Sequence, residues 1–279
     1  MTLLGQHPKD ATLLAGGTDL VVKMKQGSLQ PTYLIDLKKI EELKKIQYLP
    51  GESLRIGAMA TAAVLQTSQV VISRFPAIAQ AAGAIGSVQI RNRATVGGNI
   101  CRAAPSGDFL PILIALGTRL KVAGSGGEKS LLLQDFFLGP GLTKLGPGEM
   151  LKEIEVPDPP GYSTAVYMRH SLRETLDLAT VGLAVFAAFD PENGICRDVK
   201  VVLGSVGPTP LRAIQAEKLL SGHKWSLKLV AEAAKRASEE SRPINDVYGE
   251  SWFKKALVES LARKALSQTE RTCRASDEG

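Results

Sequence analysis

Apolar positions fall into short runs in the first half of the chain and into longer helical stripes in the second. Leu54-Arg55-Ile56-Gly57-Ala58 reads as a short strand, and Leu120-Lys121-Val122-Ala123 shows strand alternation. Between them, residues 75–84 predict a small Ala-rich helix, with Pro76 in the first turn, where its missing N–H is tolerated. Residues 109–116 form an unbroken apolar run, the pattern of a buried helix. Asp108 is its expected N-cap, Pro111 lies inside the first turn and Gly117 is the stop. Further on, residues 164–168, 179–189 and 199–204 read as strands, with Pro191-Glu192-Asn193-Gly194 as a turn between two of them, which predicts an antiparallel meander. Two amphipathic helices follow. One starts at a Ser226 cap and carries Leu227, Val230, Ala231 and Ala234 on one face; the other carries Phe253, Leu257 and Leu261. Core packing accounts for both stripes. Residues 271–279 are polar and aperiodic, and are expected to be a frayed tail.

The stretch Val156-Pro157-Asp158-Pro159-Pro160-Gly161 is too rich in proline to continue a ladder and reads as a linker. It divides the chain into expected domains at 1–160 and 161–270, with the tail beyond. A length of 279 residues with 44% apolar side chains suffices for one large core or two modest ones, which excludes a disordered or fibrous chain. Lys and Arg (34) exceed Asp and Glu (28), but the cations are scattered and only 5% of residues are aromatic, so the footprint of a nucleic-acid binder is missing. The sequence contains no run of eighteen apolar residues and no basic-then-apolar start, so a cytoplasmic location without membrane insertion is expected. Cys101, Cys196 and Cys273 are far apart, and His7, His170 and His223 lack metal spacing, so neither a disulfide nor a metal site is expected.

Candidate chemistry centres on two glycine pairs. Leu13-Leu14-Ala15-Gly16-Gly17-Thr18-Asp19-Leu20 is a strand running into paired glycines, a hydroxyl and a carboxylate. Residues without Cβ let several backbone N–H groups converge on one anion, as a pyrophosphate requires, although an ordinary hairpin turn uses the same residues. Ala94-Thr95-Val96-Gly97-Gly98-Asn99-Ile100 repeats the logic and ends in a side-chain amide. Two such loops suggest the two ends of one elongated phosphate-bearing ligand. Asp108, just behind, has two compatible roles: helix cap, or acceptor for ribose hydroxyls. Neither the nicotinamide-type glycine turn nor the mononucleotide phosphate loop occurs.

These segments, with Ile85-Gly86-Ser87, residues 105–111, Asp135-Phe136-Phe137-Leu138-Gly139-Pro140-Gly141, Glu149-Met150-Leu151 and Pro208-Thr209-Pro210-Leu211-Arg212-Ala213, resemble the FAD-binding medium subunit of molybdenum hydroxylases over nearly the whole chain. The resemblance implies an α+β fold: a p-cresol methylhydroxylase/vanillyl-alcohol-oxidase-type FAD-binding domain of two α/β subdomains, followed by a domain of antiparallel sheet plus helices. It implies non-covalent FAD, with Leu14, Ala15, Gly16, Gly17, Thr18 and Asp19 and Thr95, Val96, Gly97, Gly98 and Asn99 at the pyrophosphate. Ile85 is implied near the isoalloxazine, Asp108 at the ribose or adenine side, and Leu151 against the flavin. Arg169 stands where relatives often carry a flavin-adjacent lysine. Relatives begin with an extra strand, whereas Thr2-Leu3-Leu4-Gly5 resembles their first helix, so the start is expected to be truncated or that strand dispensable.

The function implied is electron transfer. Electrons would pass from [2Fe–2S] clusters of a small partner subunit through FAD to an external acceptor, while a large subunit carries the molybdenum cofactor, in a dimer of heterotrimers. No catalytic side chain is required of this chain. A self-contained flavin oxidase of the same fold, with Tyr167 or His170 over the ring, and a non-redox nucleotide-binding scaffold are the alternatives.

Overall fold

The structure, a computed structural model, describes residues 2–173 and 175–275. Its N-terminal unit holds three sheets, one of them the short antiparallel pair Phe137–Gly139 and Leu142–Thr143. A short parallel pair, Ala11–Leu14 with Tyr33–Asp36, is joined through the helix Leu20–Lys25 and stands beside the helix Thr2–Gln6. A five-stranded antiparallel sheet follows in the order Ile46–Leu49, Ser53–Gly57, Met150–Pro157, Arg119–Gly124 and Gly127–Leu132. The helices Ala62–Thr67, Pro76–Ala84, Val96–Arg102 and Phe109–Ala115 share one core with it, in which Leu54, Ile56, Ile78, Ile100, Leu113 and Ile154 are fully buried. The helix Phe109–Ala115 is buried at every position, as its unbroken apolar run requires, and Gly117 at φ +71° stops it.

The proline stretch behaves differently from the sequence expectation. Val156 pairs with Leu54 and Pro157 with Ser53, and the Asp158 N–H donates to the Glu52 carbonyl. The ladder therefore runs through the first proline, which is tolerated at the strand's last position because it has no N–H left to place. Asp158 then fastens the exit, accepting from the Tyr48 hydroxyl at 2.9 Å and from the Gly51 N–H at 2.8 Å.

The C-terminal unit is a four-stranded antiparallel sheet, Ser163–His170, Val181–Phe189, Cys196–Gly204 and Leu211–Arg212, with three helices behind it. Val181–Phe189 is buried at all nine positions, because alternate side chains face two different cores. Ala184, Phe186 and Ala188 pack into the N-terminal core, while Val181, Leu183, Val185 and Ala187 pack toward the helices Leu227–Glu240 and Ser251–Ala275. A half-buried strand would alternate with polar residues; this one has no solvent face, so it reads as a continuous apolar run.

Two helix readings change. Ser226 does cap Leu227–Glu240, accepting from the Leu229 N–H at 3.2 Å, but Leu227 is 83% exposed and the buried stripe is Val230, Ala233, Ala234 and Ala237. Residues 271–275 are helical rather than a frayed tail, and Cys273 is buried; residues 276–279 lie outside the described residues. The last turns hold because they are packed: Ala265, Leu266, Thr269 and Cys273 are buried along one side of the helix, the Thr269 hydroxyl bonding the Ala265 carbonyl.

Glu217, on the buried side of the helix Ile214–Leu220, accepts from the Val201 N–H at 2.9 Å and from two Arg212 nitrogens at 3.1 and 2.6 Å. Glu217→Ala leaves a sheet N–H and a cation without partners, and is expected to cost about 2 kcal/mol. A melting midpoint of the full chain that stays within error of the parent contradicts this.

Candidate functional site

The strand Ala11–Leu14 ends in a bend at Ala15-Gly16-Gly17-Thr18, and that bend lies against the chain before the helix Val96–Arg102. A Cβ on Gly16 would lie 2.0 Å from the Arg93 carbonyl oxygen, so only glycine permits this approach. Gly17 adopts φ +81°, a left-handed conformation that other residues rarely hold. The two segments, with a wall from the C-terminal unit, enclose a cleft of roughly 620 Å³, within the range of cofactor sites. Among the described residues, the N–H groups of Gly16, Gly17 and Thr18 donate to no protein acceptor. All three line the cleft.

The second glycine pair has a different geometry from the first. Gly97 and Gly98 form the first turn of Val96–Arg102, capped by Thr95, whose Oγ1 accepts from the Gly98 N–H at 3.0 Å. The Val96 N–H donates to the Ala60 carbonyl and that of Gly97 to Ala58, both at 2.9 Å, so these donors are spent. Gly97 is required for packing, since a Cβ there would meet the Ala58 carbonyl at 2.6 Å. What this side offers a ligand is chiefly Asn99, whose Oδ1 is buried without a partner.

The cleft brings together Ala15, Gly16, Gly17, Thr18, Asp19, Ile85, Thr95, Gly97, Gly98, Asn99, Asp108 and Leu151. Leu14, Val96 and Arg169 stand outside its lining: Leu14 pairs with Asp36 in the parallel sheet, and Val96 is fully buried in the core. Arg169 spends its guanidinium on the Ala84 carbonyl at 2.8 Å, the Asp177 carbonyl at 3.0 Å and Asp108 Oδ1 at 3.0 Å.

Asp108 is not a side-chain cap. Its backbone is already helical and its carboxylate makes no capping bond. Instead Oδ1 accepts from the Tyr167 hydroxyl at 2.7 Å as well as from Arg169. Burial pushes the Asp108 carboxyl above its ordinary range, with Arg169 opposing the shift. Burial, and then the Asp108 charge, push the Tyr167 phenol well above its own range, so Tyr167 keeps its proton and donates it. Neither Tyr167 nor His170 lines the cleft; Tyr167 is 1% exposed and His170 stands edge-on to Phe253.

Several cleft residues carry no sequence signal. Arg102 spans the site to Asp19, its Nε 3.1 Å from Oδ1, across 83 positions of sequence. Lys23, Met59, Cys101, Leu176 and Tyr248 also line it. Burial pushes the Cys101 thiol up to about 12, so it stays protonated and is a poor nucleophile. No helix among the described residues is long and apolar enough to cross a membrane.

Asp108→Ala would leave Arg169 buried and unpaired, and is expected to cost about 3 kcal/mol, against about 1 kcal/mol for a lost cap. Arg169→Met in the same chain should return part of that loss. Thermal or urea unfolding of the three chains checks the order.

Comparison with known proteins agrees with this geometry. The family described as the FAD binding domain in molybdopterin dehydrogenase matches residues 1–159, and the CO dehydrogenase flavoprotein C-terminal domain matches residues 166–269. The carbon monoxide dehydrogenase medium chain of Hydrogenophaga pseudoflava is 33% identical over 98% of this chain and 94% of its own length. The glyceraldehyde dehydrogenase medium chain of Sulfolobus acidocaldarius is 33% identical over 91% of this chain and 89% of its own. Among solved structures, carbon monoxide dehydrogenase from Hydrogenophaga pseudoflava superposes with a TM-score of 0.91 at 34% identity, covering 96% of this chain and 92% of the other. Quinoline 2-oxidoreductase from Pseudomonas putida gives a TM-score of 0.89 at 26% identity over 98% of this chain and 93% of the other. With both of its units matched in order, the chain belongs to the FAD-binding family of the molybdopterin dehydrogenases and carries the C-terminal domain of the CO dehydrogenase flavoproteins.

Proposed function

We propose that this chain binds FAD non-covalently in the glycine-lined cleft and works as the electron-transfer subunit of a cytoplasmic molybdenum hydroxylase. Electrons arrive from the [2Fe–2S] clusters of a small partner subunit and leave to an external acceptor, while the organic substrate is oxidised at a molybdenum cofactor in a large partner subunit. A dimer of such heterotrimers is the proposed assembly. The observation that carries this reading is the cleft itself: the N–H groups of Gly16, Gly17 and Thr18, which line it, meet no protein acceptor. FAD, when bound, supplies two-electron redox chemistry that no side chain of this chain provides.

The residues present fit that cofactor. In this reading the Gly16, Gly17 and Thr18 N–H groups would donate to a diphosphate, with Asn99 lining the same cleft. Asp108, held by Tyr167 and Arg169, offers its remaining lone pairs to ribose hydroxyls. Ile85, Met150 and Leu151 are buried apolar walls that exclude water from a flat ring. In this reading Leu14 and Val96 support the pyrophosphate segments from behind, and Arg169 acts through Asp108. The self-contained oxidase is disfavoured because Tyr167 and His170, the two helpers considered for it, stand off the cleft.

Gly17→Val is expected to reduce bound flavin to under about a tenth, since a branched residue resists φ > 0 and crowds the donors; flavin absorbance per chain reads this directly. Acid precipitation should release the yellow chromophore into the supernatant, and a coloured pellet refutes non-covalent binding. Mixed with substrate and an artificial acceptor, the chain should turn over only when both partner subunits are present. Full turnover by the chain alone overturns the subunit reading.

A further inference from the structure

The C-terminal unit reaches the cleft through a turn whose construction its own packing does not explain. Asp246 and Gly249 exchange reciprocal backbone bonds at 3.2 and 3.1 Å, and Asp246 Oδ1 accepts from the Tyr248 N–H at 2.8 Å. Around them, Ile244 is 72% exposed and Val247 87%. Such a turn has no core to stabilise it. It is held instead by Lys254, which is 1% exposed, ion-paired to Asp246 Oδ1 at 2.6 Å and donating to the Ile244 carbonyl at 3.0 Å. Asn245 adds a fourth tie by accepting from the Ser251 N–H at 2.7 Å. Burying a lysine carries a large desolvation penalty, which an exposed surface turn does not justify by itself.

What the turn delivers is one ring. Of the residues 244–248, only Tyr248 is drawn in from solvent, and it lines the cleft. Gly249 lies against Phe253, Phe253 stands edge-on to His170, and the segment that follows His170 docks on the N-terminal unit where the Leu176 N–H donates to the Gly86 carbonyl. Tyr248 lines the cleft together with Ile85, Gly86 and Leu176.

We propose that Tyr248 is a cofactor-binding residue, an aromatic wall against the isoalloxazine ring of FAD, with Lys254 and Asp246 as the residues that position it. This rests on the FAD reading above. Ring-on-ring contact is favourable beyond the area it buries, and a phenol fixed by its own turn loses little freedom on binding. The hydroxyl is not required for such contact, so phenylalanine should serve in its place.

The test uses the purified full chain titrated with FAD and, separately, with ADP, which lacks the isoalloxazine. Tyr248→Ala should weaken FAD on the order of tenfold, shift the visible flavin bands and leave ADP affinity and the melting midpoint unchanged. Tyr248→Phe should restore both FAD affinity and spectrum. Unchanged FAD affinity and spectrum in Tyr248→Ala overturn the proposal, and so does an equal loss for ADP, which places the ring at the other end. A parent chain that binds no FAD at all refutes the FAD reading itself, visibly, before any variant is compared.

Discussion

A carboxylate buried at the seam between two units makes those units inseparable. Asp108 begins a helix of the N-terminal core, yet both of its side-chain partners, Tyr167 and Arg169, stand on a strand of the C-terminal sheet. Pulling the units apart would break these bonds and would also expose Ala184, Phe186 and Ala188, which pack into the N-terminal core. Because Asp108 also lines the cleft, the geometry of the candidate site and the docking of the C-terminal unit are set by one bonded group. Arg169 strengthens the seam further by bonding the Ala84 carbonyl, next to Ile85 on the cleft wall.

Around that seam, backbone approaches too close for any side chain do the remaining positioning. Gly16 against Arg93 and Gly97 against Ala58 bring the two walls of the cleft together. Gly204, in the C-terminal sheet, does the same for the unit contact: a Cβ there would lie 2.8 Å from Pro111 Cγ. These glycines sit in a helix, a bend and a strand, so what they share is the proximity of another segment rather than a turn type. The cleft wall is rigid where it is packed this way, and the free N–H groups of Gly16 to Thr18 are held ready without the ordering cost that a mobile loop would carry on binding.

Charge serves position more than stability here. Arg102 with Asp19 joins two segments that line the cleft, and Lys254 with Asp246 ties the turn that carries Tyr248. The exposed Arg102 pair contributes little energy by itself, whereas the buried Lys254 fixes a turn that would otherwise have several conformations.

Most of the element types and the residues of the first glycine bend were legible in the sequence, because period, capping and breaker chemistry are local, although the helix reaches through residues 271–275, where the composition pointed to a frayed tail. Phe109–Ala115 and Val181–Phe189 were legible as buried elements from unbroken apolar runs. Helix faces were less so: an apolar Leu227 is compatible with the stripe by spacing, but only the neighbouring sheet decides which residues it covers. The two glycine pairs look alike as strings and differ in space, since Gly17 needs a positive φ while Gly97 needs room for Ala58. The Asp108 partners, the Arg102 bridge and Tyr248 were decided by tertiary structure alone. Their spacings, from 59 to 83 positions where a bond is made, follow no period, because they record which surfaces the fold happens to bring together rather than any local propensity.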